Sequence, residues 1–192
     1  VFSGHALSSN SAVWPDFIPE TLGCLSIPKS RIILVDKPMS FERCLIPRKI
    51  SPFGCGGGRP YNATMQAISN QIKTKSYSNI YLSRSLLNSN RKDNDCMENE
   101  VEAVFRDRGF IILHPQTMPL SEQARMISRA TRIAGCIGSQ LHLIGFNDQA
   151  NLNVFRICPD YFAPMIDSFI CAGISDTARV TDYKVTCPTP DG

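Results

Sequence analysis

No apolar stretch in this sequence of 192 residues approaches the ~18–20 residues that a membrane-spanning helix requires. The first residues also lack the basic segment and the apolar run that together mark a signal peptide. We therefore expect a cytoplasmic protein, or one at the periphery of a membrane, ahead of a secreted one. Apolar residues still make up 43% of the sequence, which is ample for a buried core and excludes a wholly disordered chain.

The sequence also lacks a strong excess of charge of either sign. Its 20 lysines and arginines and its 17 aspartates and glutamates give a net charge of +3, whereas a nucleic-acid binder usually carries a strongly basic face. We therefore predict no nucleic-acid partner. The basic cluster around Arg84, Arg91 and Lys92 has two interpretations: a solvated surface, or a site for one phosphorylated small molecule, for which a few guanidinium groups suffice.

The cysteines and histidines lack the spacing of a metal site as well. No two of the eight cysteines are separated by the two to four residues of a zinc knuckle, and the three histidines share no metal-like spacing. We expect no metal cofactor, and we expect reduced thiols, because a chain of this length can bury a core without disulfides. The even number of cysteines and the single glycosylation sequon, Asn62-Ala-Thr64, leave a secretory origin open.

The first 60 residues predict part of an α/β domain followed by a connection. Residues 31–36 form a β-branched and aliphatic run that is typical of a buried strand, and residues 44–46 suggest a second short strand. Prolines and glycines then concentrate in residues 47–60, where we place the connection between two domains.

From residue 61 onward, strands and helices alternate. Apolar runs predict strands at residues 79–83, 110–113, 133–137 and 153–157, and apolar residues at helical spacing predict the intervening helices, the first at residues 61–72. The spacing predicts that Met97, Val101, Val104 and Phe105 fall on one face of a helix, and that Ser121 caps the next helix. The alternation predicts an α/β fold: a Rossmann-like parallel sheet with helices on both faces, over residues 61–192.

Parallel sheets bind ligands outside the carboxyl ends of their strands, so the residues directly after each strand are the candidates for a site. Arg84 follows the first of these strands, where a guanidinium can hold two phosphate oxygens; a surface arginine paired with a carboxylate is the alternative. Arg91, further along the same loop, is a second candidate.

Gly138 follows the third strand and permits a tight turn into a short apolar helix. The N–H groups of Ser139, Gln140 and Leu141 would then be free donors at the positive end of the helix dipole, where a diphosphate binds. One glycine is a weaker signal than the G-x-G-x-x-G fingerprint, so the pattern indicates neither a dinucleotide site nor a P-loop.

Three further residues border the predicted crevice, each with two interpretations. His142 is either a structural histidine or a hydrogen-bond donor to a phosphate or a sugar hydroxyl. Glu122 and Gln123 open the helix after the second strand, where an acidic residue offsets the helix dipole; holding a sugar hydroxyl is the functional alternative. A Ser-His-Asp triad is not indicated, because no G-x-S-x-G motif is present.

Several short motifs succeed one another between residues 80 and 159. They are Tyr81-Leu-Ser-Arg84, Glu98-Asn-Glu100, Gly109-Phe110, Pro119-Leu-Ser-Glu-Gln123 and Ala134-Gly-Cys-Ile-Gly-Ser-Gln-Leu-His142, with Phe146 after them. In this order they resemble the family-61 glycosyltransferases, in particular the bacterial branch described as capsular polysaccharide biosynthesis proteins. Residues 22–28 and 31–33 are similar to the family's segment at the end of its first domain.

The resemblance implies a type B glycosyltransferase fold, with residues 1–60 as part of the acceptor-side domain and residues 61–192 as the nucleotide-sugar-binding domain. It implies inverting, metal-independent transfer of a hexosyl or pentosyl group from a nucleotide-sugar to a hydroxyl of a polysaccharide or glycan, with no further cofactor. Arg84 and residues 138–142 would hold the donor diphosphate, and Glu122 and Gln123 would lie near the nucleotide.

The sequence departs from the family pattern in two respects. At the phosphate turn it has Ile137-Gly-Ser, where animal and plant members commonly have His-Gly-Ala, and this favours the bacterial branch. Family members are also usually much longer, so we expect an incomplete acceptor domain, and no general base is assigned. A non-catalytic nucleotide- or sugar-binding relative is the first alternative function. Another Rossmann-like enzyme, such as a nucleotide hydrolase with a similar phosphate turn, is the second.

Overall fold

The computed structural model describes residues 17–33, 38–45, 59–70, 77–87, 98–159 and 166–185. The chain divides into two compact units, Val1–Lys49 and Ile50–Gly192. The described helices and strands are, in chain order, α1 (Phe17–Cys24), α2 (Arg59–Asn70), β1 (Asn79–Leu82), α3 (Glu98–Asp107), β2 (Ile111–Leu113), α4 (Leu120–Ile127), β3 (Arg132–Cys136), β4 (Asn153–Pro159), α5 (Ile166–Ile174) and β5 (Arg179–Val185). Three 3₁₀ helices are also described: Lys29–Arg31, Pro115–Thr117 and Ser139–Phe146.

The first unit has no strand among its described residues. The strand predicted at residues 31–36 is wrong at its first three positions, because Arg31 ends a 3₁₀ helix and Ile33 is 60% exposed. The strand predicted at residues 44–46 is wrong at its first two positions, where Leu45 is 77% exposed. An apolar run forms a strand only where neighbouring strands and side chains cover it. Residues 34–37 and 46 lie outside the described part of the chain.

The second unit contains a five-stranded sheet in the order β2-β1-β3-β4-β5, and every pair of neighbouring strands is parallel. The four strands predicted from residue 79 onward are confirmed, with bounds that differ by one or two residues. Strand β5 was not predicted. Because β1 lies between β2 and β3, the direction in which the chain adds strands reverses at the β1–β3 pair.

Helices cover both faces of this sheet, as predicted. On one face, Ile80, Leu82 and Val154 pack with Ile127 of α4 and Ile170 of α5. On the other face, the buried residues Tyr81, Ala134, Cys136 and Ile157 pack against the partly buried Val101 and Phe105 of α3. The alternation along β1 arises because successive side chains of a strand point to opposite faces.

Two details of the helices differ from the prediction. The Ser121 cap is wrong, because α4 begins at Leu120 with Pro119 in the capping position and no side-chain cap. The buried face of α3 is also shifted: Val104 is 46% exposed, whereas Glu98 and Glu102 are both 6% exposed. Met97 and most of the connection predicted at residues 47–60 lie outside the described residues.

A partly buried ion pair joins the last two strands. Arg156 is 3% exposed, and its Nε and Nη2 atoms lie 2.7 Å and 3.0 Å from the two carboxylate oxygens of Asp182. The two residues are register partners of β4 and β5. A bidentate pair of this kind fixes the register of an edge strand that few apolar side chains hold.

We expect the substitution Asp182→Ala to lower the free energy of unfolding by about 2–3 kcal/mol, because it leaves the Arg156 guanidinium buried without its carboxylate. The loss is smaller than for a fully buried pair, since the side chain of Asp182 is 31% exposed. Urea unfolding measures the change, with Thr181→Ala, an exposed neighbour on the same strand, as the control. Equal stability of the two variants would contradict the role of the pair.

Candidate functional site

The residues directly after β1 and β3 meet at one edge of the sheet. These strands are neighbours, with Tyr81 paired to Ala134, and the order of the strands reverses between them. The helices that come after β1 and β3 leave the sheet on opposite faces, because α3 packs on one side and the 3₁₀ helix Ser139–Phe146 on the other. A crevice forms where the chain diverges in this way, and in α/β proteins it is the usual place for a ligand.

The Arg84 side chain crosses this crevice. Arg84 is half-buried, and its Nη1 atom donates a hydrogen bond to the carbonyl oxygen of Ile137, at 3.2 Å. The bond joins the turn after β1 to the turn after β3. It also fixes the position of the guanidinium, whose planar fork suits paired oxygens of a phosphate.

Gly138 forms the wall of the crevice beside Arg84. Its φ of 158° and ψ of 172° fall in a region that residues with a Cβ rarely occupy. A Cβ atom at this position would also lie 3.0 Å from Nη1 of Arg84 and would clash with Oε1 of Gln140. The turn therefore requires glycine both for its backbone conformation and for the space that the two side chains fill.

The 3₁₀ helix after Gly138 provides fewer free amides than the sequence predicted. The Leu141 N–H donates to the carbonyl oxygen of Gly138 at 3.1 Å, so its assignment as a free donor is wrong, and the Leu141 side chain is fully buried in the core. The reason is that a 3₁₀ helix bonds i to i+3 and satisfies its amides one residue sooner than an α-helix. Ser139 is exposed, whereas His142 is half-buried.

The two ends of the Gln140 side-chain amide differ in their hydrogen bonding. Its Nε2 atom donates to the carbonyl oxygen of Cys136 at 2.6 Å. Its Oε1 atom is buried and accepts no hydrogen bond from the described residues. A buried acceptor of this kind favours a ligand group that donates a hydrogen bond.

Arg84, Ser139 and Gln140 belong to the lining of a cleft of about 260 Å³. Its wall combines polar side chains with a smaller number of apolar ones, and the lining residues are Arg84, Leu87, Pro115, Gln116, Gln123, Ser139, Gln140 and Leu143. We call this space the switch cleft. A cleft that combines one guanidinium and several polar side chains with apolar surface suits a compact anionic ligand that has an apolar or aromatic part.

The remaining predicted residues contribute less to this cleft. Gln123 lines the switch cleft, but its Nε2 atom donates to the carbonyl oxygens of Pro115 and Met118, each at 2.8 Å, and so holds the loop before α4. Glu122 forms an ion pair with Arg125 of the same helix, at 3.1 Å, and is not among the lining residues. His142 does not line the cleft either. Arg91 lies outside the described residues.

Sequence reasoning missed a polar network on the other face of β1. The Tyr81 hydroxyl donates to Oε1 of Glu98 at 2.8 Å, and the Ser83 hydroxyl donates to the carboxylate of Glu102. The backbone N–H of Arg84 also donates to Oε1 of Glu98, at 3.2 Å. A signal for this network exists, because Glu98 and Glu102 fall on the same helical face as Val101 and Phe105.

Burial and hydrogen bonding shift the pKa values of several side chains in and beside this network. Burial, together with the neighbouring Glu98, raises the pKa of the Cys136 thiol to about 12, and burial likewise raises the pKa of Tyr81. Both groups are therefore neutral and available as hydrogen-bond donors at physiological pH. Burial alone would raise the pKa of Glu102, but hydrogen bonds from Ser83 and Ser85 outweigh it and leave that pKa below its ordinary value of 4.5.

Among the described residues, no group of three or more His, Cys, Asp and Glu side chains is placed to hold a metal ion. No described helix is long and apolar enough to cross a membrane.

We expect the substitution Ser83→Ala to destabilise the fold more at neutral than at acid pH. The folded-state pKa of Glu102 is lowered, so its hydrogen bonds stabilise the fold above pH 4.5 and this stability is lost as the pH falls through the folded-state pKa. The expected loss is about 1–2 kcal/mol at neutral pH. Urea unfolding at neutral pH and at about pH 3 measures it. Ser78→Ala, at an exposed serine just before the same strand, is the control; a pH-independent loss in Ser83→Ala would contradict the explanation.

We expect the substitution Gly138→Ala to cost about 1–3 kcal/mol of stability because of its backbone conformation. It should also displace the Arg84 guanidinium, since the new Cβ would lie against it. Gly109→Ala is the matched control: Gly109 has a φ of 78°, but a Cβ there would meet nothing within 4 Å. NMR of the arginine Nε–Hε groups measures the displacement. An unchanged Arg84 signal in a folded Gly138→Ala variant would contradict the contact.

No curated protein matches this chain at a significant level. The model of the glycosyltransferase 61 family, by contrast, matches residues 11–153, which include the whole of the switch cleft. The match covers most of the chain and runs from the first unit through strands β1 to β3. The chain therefore belongs to the glycosyltransferase 61 family, whose members transfer glycosyl groups.

Proposed function

We propose that this protein transfers a sugar from a nucleotide-sugar to a hydroxyl of a polysaccharide or glycan, and that the switch cleft binds the diphosphate of the donor. The observation that carries the proposal is the position of Arg84. Its guanidinium lies at the point where the strand order reverses, 3.2 Å from the Ile137 carbonyl and next to the turn at Gly138. A fixed cation at this place matches an anionic ligand.

The rest of the cleft is consistent with a nucleotide. Ser139 offers an exposed hydroxyl beside the guanidinium, and the apolar side chains of Leu87 and Leu143 offer a surface on which a base or sugar ring can pack. Oε1 of Gln140 can accept a hydrogen bond from a sugar hydroxyl.

We propose in-line displacement with inversion. The oxygen of the acceptor hydroxyl forms a bond to the anomeric carbon, while the bond from that carbon to the diphosphate oxygen breaks and its electron pair stays on the diphosphate. Arg84 stabilises the charge that develops on this leaving group. The proton of the acceptor hydroxyl passes to a general base, for which none of the described residues is assigned.

We propose that the transfer is independent of a metal ion, with the guanidinium in the role that a divalent cation would otherwise take. Asp93 and Asp95 have a spacing at which two carboxylates can share such a cation, and they lie outside the described residues. Titrations with EDTA and with added Mn²⁺ therefore belong to the test. A requirement for Mn²⁺ would overturn this part of the proposal and leave the site of diphosphate binding in place.

We expect wild-type protein to bind a nucleoside diphosphate, and Arg84→Ala to weaken that binding by about tenfold or more, which corresponds to the loss of one or two charge-assisted hydrogen bonds. Calorimetric titration with UDP and GDP measures the affinities, and titration with the monophosphate CMP shows whether the second phosphate is required. The melting temperature should change little, since Arg84 is only half-buried.

The matched control for this titration is Arg132→Ala. Arg132 is the exposed first residue of β3, so it lies at the opposite end of the sheet from the switch cleft. Equal affinity of the wild type and Arg84→Ala would remove Arg84 from the site. Binding without release of the nucleoside diphosphate from a nucleotide-sugar, over a panel of glycan acceptors, would favour a non-catalytic binding relative.

A further inference from the structure

Two carboxylates lie buried behind the switch cleft, on the face of β1 that Arg84 does not use. Glu98 and Glu102 are one helical turn apart on α3, and each is 6% exposed. A buried carboxylate is costly unless hydrogen bonds compensate for its lost hydration. The groups that donate hydrogen bonds to these two carboxylates therefore show which part of the chain the carboxylates hold in place.

Their partners are concentrated in the last residues of β1 and the turn after it. Glu98 accepts from the Tyr81 hydroxyl at 2.8 Å and from the Arg84 backbone N–H at 3.2 Å. Glu102 accepts from the Ser83 hydroxyl, whose oxygen in turn accepts from the Ser85 backbone N–H at 3.0 Å. Apart from Arg106 of the same helix, whose Nη2 atom lies 3.5 Å from Oε2 of Glu102, every residue that carries these donors belongs to residues 81–85.

This segment also carries the guanidinium. The Ser83 N–H donates to the Leu113 carbonyl at 2.8 Å, so sheet pairing holds the chain as far as Ser83. Beyond it, the Arg84 N–H turns away from the sheet and bonds to Glu98, while the Arg84 side chain extends in the other direction to the Ile137 carbonyl. The carboxylate of Glu98 therefore holds the backbone from which the guanidinium extends.

We propose that Glu98 is a positioning residue for diphosphate binding, and that it acts through the backbone of Arg84, with Glu102 in support through Ser83. The proposal rests on the proposed function for its ligand. Glu98 does not contact the switch cleft itself; it limits the conformations of the turn after β1, so that the guanidinium is already oriented when the ligand enters. Preorganisation of this kind raises affinity because less freedom is lost on binding.

The first measurement is amide hydrogen exchange by NMR. In Glu98→Ala the Arg84 amide loses its acceptor, so its exchange should become at least about tenfold faster, while the Ser83 amide, which bonds to Leu113, should keep its protection. Glu98→Gln retains an acceptor oxygen and should be intermediate. Glu100→Ala, at an exposed glutamate of the same helix, should change neither amide.

The second measurement is a double-mutant cycle on the affinity for inorganic pyrophosphate and for UDP. We expect Glu98→Ala to weaken binding by about tenfold in the wild type and by at most about twofold when Arg84→Ala is already present, as for two residues coupled through one hydrogen-bond network. Glu98→Gln should restore most of the affinity, and Glu100→Ala should leave it unchanged. A residue that only stabilises the fold would not show this dependence on Arg84.

The outcomes separate the two proposals. Equal losses from Glu98→Ala with and without Arg84, or unchanged exchange of the Arg84 amide, would overturn the positioning role even if pyrophosphate and UDP bind to the wild type. If neither pyrophosphate nor UDP binds to the wild type, the proposed function is overturned. Fast exchange of the Arg84 amide in Glu98→Ala would then still support the hydrogen bond by which Glu98 fixes the Arg84 backbone. If Glu98→Ala fails to fold, the exchange comparison between the wild type and Glu98→Gln decides, and no difference overturns the role.

Discussion

The hydrogen bond from Arg84 to the Ile137 carbonyl is the interaction on which the candidate site depends. This bond, 3.2 Å from Nη1 of Arg84 to the Ile137 oxygen, joins the turn after β1 to the turn after β3. The chain leaves these two neighbouring strands on opposite faces of the sheet. The pairing of β1 with β3 already brings the two turns to one edge of the sheet, and this bond adds a direct link between them. Arg84, Ser139 and Gln140 all line the cleft beside this bond, and the match to the glycosyltransferase 61 family model spans all three residues.

The position of this site could be predicted from the sequence because it depends on strand order and not on detailed packing. Once residues 79–83 and 133–137 are identified as parallel strands, the carboxyl-end rule places the turns after them at one edge of the sheet. That β1 and β3 are direct neighbours, which brings Arg84 close to Gly138, is seen only in the structure. Strand β5 escaped prediction for a physical reason: five of its seven residues are exposed, so it has no continuous apolar run.

The hydrogen bonds of the site could not be predicted in the same way. The choice between a 3₁₀ helix and an α-helix after Gly138 decides whether the Leu141 N–H is free, and both helices have similar sequence requirements. Glu98 and Glu102 share a helical face with Val101 and Phe105, but charged residues are usually solvated, so this pattern alone does not identify their hydrogen-bond partners. Their burial depends on hydroxyl donors that lie 17 and 19 residues earlier in the chain, at Tyr81 and Ser83. Sequence periodicity contains no information about such distant pairs.

Gly138 has a consequence that reaches beyond its own turn. Two side chains of different chemistry, the Arg84 guanidinium and the Gln140 amide, share the volume that a single methyl group would occupy there. Any side chain introduced at this position would therefore displace a cationic group and an amide group in the same step. Under the proposed function, changes in donor preference should arise at neighbouring lining residues such as Ser139 or Leu143, while the glycine is retained.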